Sequence, residues 1–158
     1  MSVDIQFLST HIPELEQRYY LSYFRDASCV EYFLNSRKQD AQISQNLILS
    51  WDAWHKGIYV SKFYPELFRR AASKYLSAAC FYLMIYHAVH LFHLKDECPV
   101  WLETDCDVFR NFYAKLPEFE FRISSNRVGN RVCLAGVFHD LPIHPEEIFQ
   151  LNDPFDWA

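Results

Sequence analysis

Three carboxylates, Glu103, Asp105 and Asp107, lie at the end of a short stretch, residues 100–104, that predicts a buried strand. In α/β sheets, the ends of such strands face the crevice in which ligands bind. A carboxylate at that place could act as a general base towards an amine. The alternative is structural: Asp105 or Asp107 caps the next helix and Glu103 lies in solvent. It explains the same residues with fewer assumptions.

Three histidines, His87, His90 and His93, recur at three-residue steps in a segment that predicts a helix. Such steps keep them within roughly a third of the helix surface, and two of them could share a metal ion, with Glu97 and Cys98 close behind. The helical zinc signature instead has a four-residue step with a glutamate between the histidines. We therefore favour histidines that hydrogen-bond to backbone carbonyls and carboxylates, and we predict no metal.

Aromatic side chains are abundant, with 14 Phe, 10 Tyr and 4 Trp making up 18% of the chain. Trp51, Trp54, His55 and Tyr59 cluster around a predicted turn, where they could form a surface for a partner protein. The alternative is a large aromatic core on both faces of a sheet. Neither a Gly-x-Ser-x-Gly sequence nor a characteristic cysteine motif occurs, which argues against a nucleophilic triad.

The length of 158 residues predicts a single domain over residues 1–158. A net charge of −5 excludes a general nucleic-acid binder, which needs a basic stripe, and is compatible with an enzyme or with a basic protein partner. Five cysteines at irregular spacings argue against a disulfide framework. With no signal-like pattern at the first residues, we expect a cytoplasmic protein.

Residues 75–94 form the one stretch that needs a membrane test, because they contain no acid, lysine or arginine and have the length of a spanning helix. They also contain three histidines and three tyrosines, and polar groups in hydrocarbon are costly. We therefore predict a buried core helix and no membrane association.

The elements that position these residues follow from periodicity and breakers. We predict strands at 3–8, 41–52, 58–63 and 100–104, and helices at 9–26, 28–38, 66–94 (beginning at Glu66 or Leu67) and 108–116. A turn at Gly57, where glycine can adopt positive φ, joins two of the strands. A hairpin pairs residues 119–123 with 131–138 around Gly129. Alternating strands and helices indicate an α/β fold.

At this point the chain resembles the GNAT acyltransferases, with an element order that covers most of its length. Residues 58–61 (IYVS) look like the strand that leads to the acetyl-CoA loop, and residues 100–105 (VWLETD) look like the next strand, where the two splay apart. Residues 108–116 (VFRNFYAKL) with 119–121 (FEF) are similar to the family's closing helix and strand.

The resemblance implies a GNAT-like mixed central sheet flanked by helices, with a long buried central helix and a C-terminal β-hairpin. It also implies transfer of an acyl group from acetyl-CoA to an amine, with Tyr113 as the acid that protonates the leaving thiolate and Glu103 as a possible base. The cofactor would lie along Tyr59 and Val60. Arg69 and Arg70 would supply charge to its phosphates.

The chain departs from the family at the turn that opens the long helix. The family holds the CoA pyrophosphate in a glycine-bearing turn, because backbone amides must approach the phosphates closely. Residues 62–71 (KFYPELFRRA) contain no glycine, Pro65 has no amide to donate, and Glu66 would repel phosphate. Two hypotheses follow: an acyl-CoA-dependent N-acyltransferase with a degenerate cofactor loop, or a non-catalytic protein-binding module of the antagonist or immunity type with an acidic, aromatic surface.

Overall fold

The protein is described from a computed structural model, which covers residues 19–36, 44–52, 56–63, 74–94, 97–126, 129–139 and 151–152. The strands are β1 (Tyr19–Arg25), β2 (Cys29–Ser36), β3 (Ser44–Asp52), β4 (Gly57–Lys62), β5 (Cys98–Asp105), β6 (Arg122–Asn126), β7 (Arg131–Phe138) and β8 (Leu151–Asn152). The helices are α1 (Lys74–Leu91) and α2 (Cys106–Asn111), with single 3₁₀ turns at Tyr113–Lys115 and Pro117–Phe119.

The described strands form one mixed sheet in the order β6-β7-β5-β4-β3-β2-β1-β8. Neighbouring strands are antiparallel except for β4 with β5 and β1 with β8, which are parallel. A parallel pair needs a crossover connection, and the chain between β4 and β5 contains α1. The prediction of an α/β fold with a mixed sheet is confirmed.

A single row of apolar side chains crosses five strands and forms the centre of the core. Its members are cross-strand neighbours, each at most 4% exposed: Val30, Leu49, Val60, Leu102 and Leu134. Because side chains alternate between the two faces of a sheet, this row places one face of five strands against a common core. Burial of such side chains is the main favourable term in folding.

The helix α1 is buried over most of its length, with every residue from 77 to 86 less than 9% exposed. Phe81 lies among the rings of Phe63, Phe112, Tyr113, Phe119 and Phe121, at centroid distances of 5.1 to 6.2 Å. The helix has 18 residues and ends at Leu91, three residues before the predicted end, and the predicted beginning lies outside the described residues. No helix in the described part of the chain is long and apolar enough to span a bilayer.

The predicted helices at 9–26 and 28–38 are wrong wherever the structure describes them, because residues 19–25 and 29–36 form strands. Val30 and Tyr32 are both fully buried and Glu31 between them is only half-buried, which is the two-residue period of a strand. Antiparallel pairing with β3 on one side and β1 on the other decides the conformation. The predicted strand at 3–8 lies outside the described residues.

The strands predicted at 41–52, 58–63 and 100–104 are confirmed as β3, β4 and β5, although residues 41–43 are outside the described part of the chain. The C-terminal hairpin is confirmed as β6 and β7, with Gly129 at a φ of 73° in the turn. The strand β6 begins at Arg122 rather than at Phe119, because Pro117–Phe119 is a 3₁₀ turn that buries Phe119 in the core. The helix predicted at 108–116 is shorter and breaks into a 3₁₀ turn at Tyr113.

Gly57 is required for a reason other than the predicted positive φ, which the preceding residue, Lys56, adopts instead at 53°. A Cβ on Gly57 would lie 2.4 Å from the carbonyl oxygen of Pro99 and 2.9 Å from the Trp101 ring. Glycine therefore allows β4 to approach β5 closely at the beginning of their parallel pairing.

Candidate functional site

The parallel strands β4 and β5 separate before either of them ends. Their pairing stops at Val60 with Leu102, whereas Lys62 still pairs with β3 and Asp105 still pairs with β7. The last residues of each strand therefore diverge and leave a gap at the carboxyl ends of the pair. In open α/β sheets, this is the end at which ligands bind.

A β-bulge in the β3–β4 ladder explains the separation. Ile48 pairs with Lys62 and the next residue, Leu49, pairs with Val60, so Ser61 is an extra residue on β4. Its hydroxyl donates a hydrogen bond of 2.9 Å to the carbonyl oxygen of Ile48. A bulge bends the strand that carries it and increases the local twist, and this one lies at the point where β4 stops pairing with β5.

A pocket of about 350 Å³ occupies this gap. Its polar wall contains Ser61, Lys62, Glu103, Thr104, Asp105 and Arg131. Its apolar wall contains Val60, Phe63, Leu102 and Val108, together with Tyr113. Consecutive residues of each strand line the pocket although they face opposite sides of the sheet, so the pocket passes between the strands. Its volume is near the lower limit of small-molecule sites, which run from roughly 300 to 1,000 Å³.

Tyr113 lines the pocket and is packed into the aromatic core. It follows α2 in a 3₁₀ turn, is 2% exposed, and packs edge-on against Phe81, Phe112 and Phe121. Burial raises the pKa of the Tyr113 hydroxyl above its usual value, because the charged form would lose its hydration. The hydroxyl is therefore neutral at physiological pH and can donate a hydrogen bond to a ligand.

The carboxylates at the end of β5 differ in their surroundings. Glu103 is half-buried, whereas Asp105 is exposed and lies 3.4 Å from Nη1 of Arg131. Asp105 occupies the N-cap position of α2 without a side-chain capping hydrogen bond. Asp107 lies in the first turn of α2 and hydrogen-bonds to Arg110 instead of lining the pocket. Helix capping therefore accounts for the position of Asp105 before α2, but not for its contact with Arg131.

Only some of the residues predicted for catalysis and cofactor binding line the pocket. Glu103, Tyr113 and Val60 line the same pocket. Tyr59 does not line it, and packs near Trp101 at a centroid distance of 6.2 Å. Arg69 and Arg70 lie outside the described residues.

Two charged residues of the pocket, Lys62 and Arg131, were missed by the sequence reasoning. Arg131 begins the return strand of a predicted hairpin, and its proximity to Asp105 follows from the pairing of β7 with β5. Local sequence patterns carry no signal for that pairing. The position of Lys62 at the end of a clear strand was a signal that could have been used.

The three histidines are not brought together as a ligand set. The Nδ1 atom of His87 lies 2.6 Å from the hydroxyl of the buried Tyr32, and His90 packs against Tyr86 with centroids 4.4 Å apart. His93 is exposed. Across the described residues, no group of three or more His, Cys, Asp or Glu side chains is arranged to hold a metal ion.

Cys98, considered as a further metal ligand, is buried at the beginning of β5. Burial raises the pKa of its thiol to about 11, despite a backbone hydrogen bond that lowers it. The thiol therefore remains protonated at neutral pH. Since metals bind the thiolate, this environment disfavours a ligand role.

Compared with models of protein families, with curated proteins and with solved structures, the chain matches none of them. Any function must therefore be argued from the chemistry of the cleft. The relevant facts are a gap between parallel strands and, in the lining of its pocket, a half-buried carboxylate and a buried tyrosine.

Proposed function

We propose that the chain is a GNAT-like acyltransferase that transfers an acyl group from an acyl-CoA to an amine in the cleft between β4 and β5. The observation that carries the proposal is the end of parallel pairing at Val60 and Leu102, with Glu103 and Tyr113 on the walls of the gap. The resemblance of residues 58–61 and 100–105 to the family's splayed strands implies this arrangement.

The two residues have complementary roles. Glu103 accepts a proton from the amine as its nitrogen bonds to the acyl carbon. The acyl-CoA supplies the acyl group as a thioester, and the carbon–sulfur bond breaks in the same reaction. Tyr113 donates a hydrogen bond to the departing sulfur and passes its proton to it. Glu103 then releases the proton of the amine to solvent, and solvent restores the proton of Tyr113. Because burial raises the pKa of Tyr113, much of its contribution is a hydrogen bond that strengthens as negative charge develops.

The described part of the cleft suits the extended, amide-bearing end of an acyl-CoA. Beyond Val60, no residue of β5 pairs with Ser61 or Lys62, so this side of β4 faces the gap. An amide-bearing chain can extend along such an edge and form backbone hydrogen bonds there. The phosphates of the acyl-CoA lack a backbone cradle, because residues 62–71 contain cationic side chains but no glycine turn. We therefore expect weaker donor binding than a backbone cradle gives.

Thermal unfolding with acetyl-CoA tests donor binding. A ligand at a hundredfold excess over its Kd stabilises the native state by about 2.7 kcal/mol. For a chain of this length, that corresponds to an increase in Tm of roughly 5–11 °C. The absence of any shift at millimolar acetyl-CoA would refute the proposal.

Release of free CoA thiol in the presence of a primary amine tests the chemistry. We expect the Glu103→Gln variant to bind acetyl-CoA normally and to lose at least about a hundredfold in turnover, which is the usual contribution of a general base. Tyr113→Phe should also bind and should lose turnover. Asp107→Asn is the matched control, because Asp107 is exposed and does not line the pocket. Unchanged turnover in both cleft variants would remove these two roles.

The non-catalytic binding module remains a prediction. The large apolar side chains that are exposed in the described part of the chain are Phe24 and Ile123. They lie on β1 and β6, towards opposite edges of the sheet, and form no common patch. No observation favours this alternative over the cleft.

A further inference from the structure

An ion pair in the cleft has no part in the acyl-transfer chemistry described above. Arg131 and Asp105 are opposed residues at the end of the β5–β7 pairing, and one guanidinium nitrogen lies 3.4 Å from one carboxylate oxygen. Both side chains line the pocket and are about half exposed, at 49% and 55%. An exposed pair with a single long contact contributes little to stability. A contribution to stability therefore does not explain why an arginine occupies position 131.

The guanidinium of Arg131 is suited to bind an anionic group of a ligand. Arginine has five N–H donors in a planar fork that matches a carboxylate in two parallel hydrogen bonds. Asp105 contacts only Nη1 and is the one hydrogen-bonding or ionic partner of Arg131 in the part of the chain that the structure describes. The remaining donors can face the pocket while Asp105 fixes the orientation of the group.

Glu103 lies two residues before Asp105 on the same strand, and therefore on the same side of β5. Two residues span about 7 Å along a strand. Arg131 is the cross-strand partner of Asp105, so its guanidinium and the Glu103 carboxylate belong to neighbouring positions on this side of the sheet. A molecule whose ammonium and carboxylate share one carbon can hydrogen-bond to both, the ammonium to Glu103 and the carboxylate to Arg131. Val60, Leu102 and Val108 add apolar side chains to the lining of the same pocket.

We propose that the amine accepted in this cleft is that of a free α-amino acid with an apolar side chain. Arg131 binds its carboxylate, Glu103 faces its ammonium group, and Asp105 is a positioning residue for the guanidinium. The pocket volume of about 350 Å³ suits a molecule of this size. The proposal rests on the proposed acyl transfer for its reaction, but binding of the amino acid can be measured without acyl-CoA.

Calorimetric titration of the full chain with three matched probes tests this binding. The probes are L-leucine, 3-methylbutylamine, which lacks the carboxylate, and 4-methylpentanoate, which lacks the amine. We expect leucine to bind at least tenfold more tightly than either of the others. Inorganic phosphate is a fourth probe, because an arginine also binds phosphate, and we expect it to compete weakly.

Variants then assign the carboxylate contact. Arg131→Met should raise the Kd of leucine at least tenfold and remove its advantage over 3-methylbutylamine, and Arg131→Lys should recover part of the affinity. Asp105→Asn should weaken leucine while leaving the affinity for 3-methylbutylamine unchanged. Arg122→Met is the control, since Arg122 is an exposed arginine on β6 that does not line the pocket. Thermal unfolding of each variant verifies that it is folded.

The proposal is overturned if leucine and 3-methylbutylamine bind equally, if Arg131→Met leaves their ratio unchanged, or if phosphate binds through Arg131 and leucine does not. The two proposals can fail separately. If leucine binds through Arg131 and acetyl-CoA does not bind, the acyl transfer is wrong and the amino-acid site stands. If acetyl-CoA binds and leucine does not, only the acceptor class is wrong.

Discussion

Substitution of Gly57 by alanine tests the close approach of β4 and β5 at the closed end of the cleft. The new Cβ would lie 2.4 Å from the Pro99 carbonyl oxygen, whereas real Cβ contacts are essentially never below 3.0 Å. The strands must therefore move apart by about 0.6 Å, and a backbone oxygen on a paired strand cannot rotate away as a side chain can. The Trp101 ring at 2.9 Å restricts movement in a second direction.

Overpacking of this kind costs about 1–3 kcal/mol, and the rigid backbone contact places Gly57→Ala near the upper limit. Loss of glycine flexibility in the unfolded chain offsets about 0.4–1 kcal/mol of that. We expect a net loss of about 2 kcal/mol in the free energy of unfolding, which lowers the Tm by roughly 4–8 °C. Urea denaturation measures the energy. Hydrogen exchange should show faster exchange in β4 and β5 than in the β1–β2 pair.

Gly129→Ala is the matched comparison, because it makes the same chemical change at a site with open space and a φ of 73°. An alanine there destabilises the protein only through its left-handed backbone conformation, by about 1–2 kcal/mol. The reduced flexibility of the unfolded chain offsets part of this loss, as it does at Gly57. We expect a loss of about 1 kcal/mol without faster exchange in β5. If Gly57→Ala is as stable as the unsubstituted protein, the inferred approach of the two strands is incorrect.

Two further predictions concern buried tyrosines. Tyr32→Phe removes the 2.6 Å contact with Nδ1 of His87 and should lower the free energy of unfolding by about 1–3 kcal/mol, measured in urea at pH 7; no change would mean that water replaces the partner. Burial raises the pKa of Tyr113, so the unfolded chain releases this proton first, and stability should fall as pH rises above 10 by up to about 1.4 kcal/mol per pH unit for this group. Tyr113→Phe should make the decline between pH 10 and 11 smaller by about 1 kcal/mol, because the unfolded tyrosine is only partly ionised in that range. An identical decline in both proteins would contradict the burial of the hydroxyl.

Elements with a strong local signal could be predicted from sequence. The β-branched and aromatic run in β4, the apolar run in β5 and the run after Gly129 each predict a strand, and each is a strand in the structure. The alternation at residues 119–123 overlaps β6 only in its last two residues. A long apolar run without charges predicts a buried helix, and residues 77–86 of α1 are buried. In these segments, local preference and tertiary environment agree.

The first two described strands show where local reasoning fails. Tyr19 and Tyr23 are four residues apart, which fits one face of a helix and equally fits one face of a strand. Antiparallel pairing of Tyr23 with Tyr32 decides between them, and that contact lies in another segment. The same limitation applies to the cleft: Glu103 and Tyr113 were named from the sequence and line the pocket, but Arg131 reaches it only through the β5–β7 register.

The cleft depends on particular residues of β4 and does not arise merely because two strands end. Gly57 allows β4 and β5 to approach closely at one end, and β4 carries the extra residue Ser61 at the other, where its pairing with β5 has ended. Continued pairing beyond Val60 and Leu102 would add backbone hydrogen bonds, so the bulge forgoes stability that the sheet could have gained. The residues beyond that point supply two carboxylates, two cations and hydroxyl groups to the gap. A bulge that opens a sheet where its polar residues are concentrated is typical of a site for a ligand, and this supports the proposal that the chain acts at the carboxyl ends of β4 and β5.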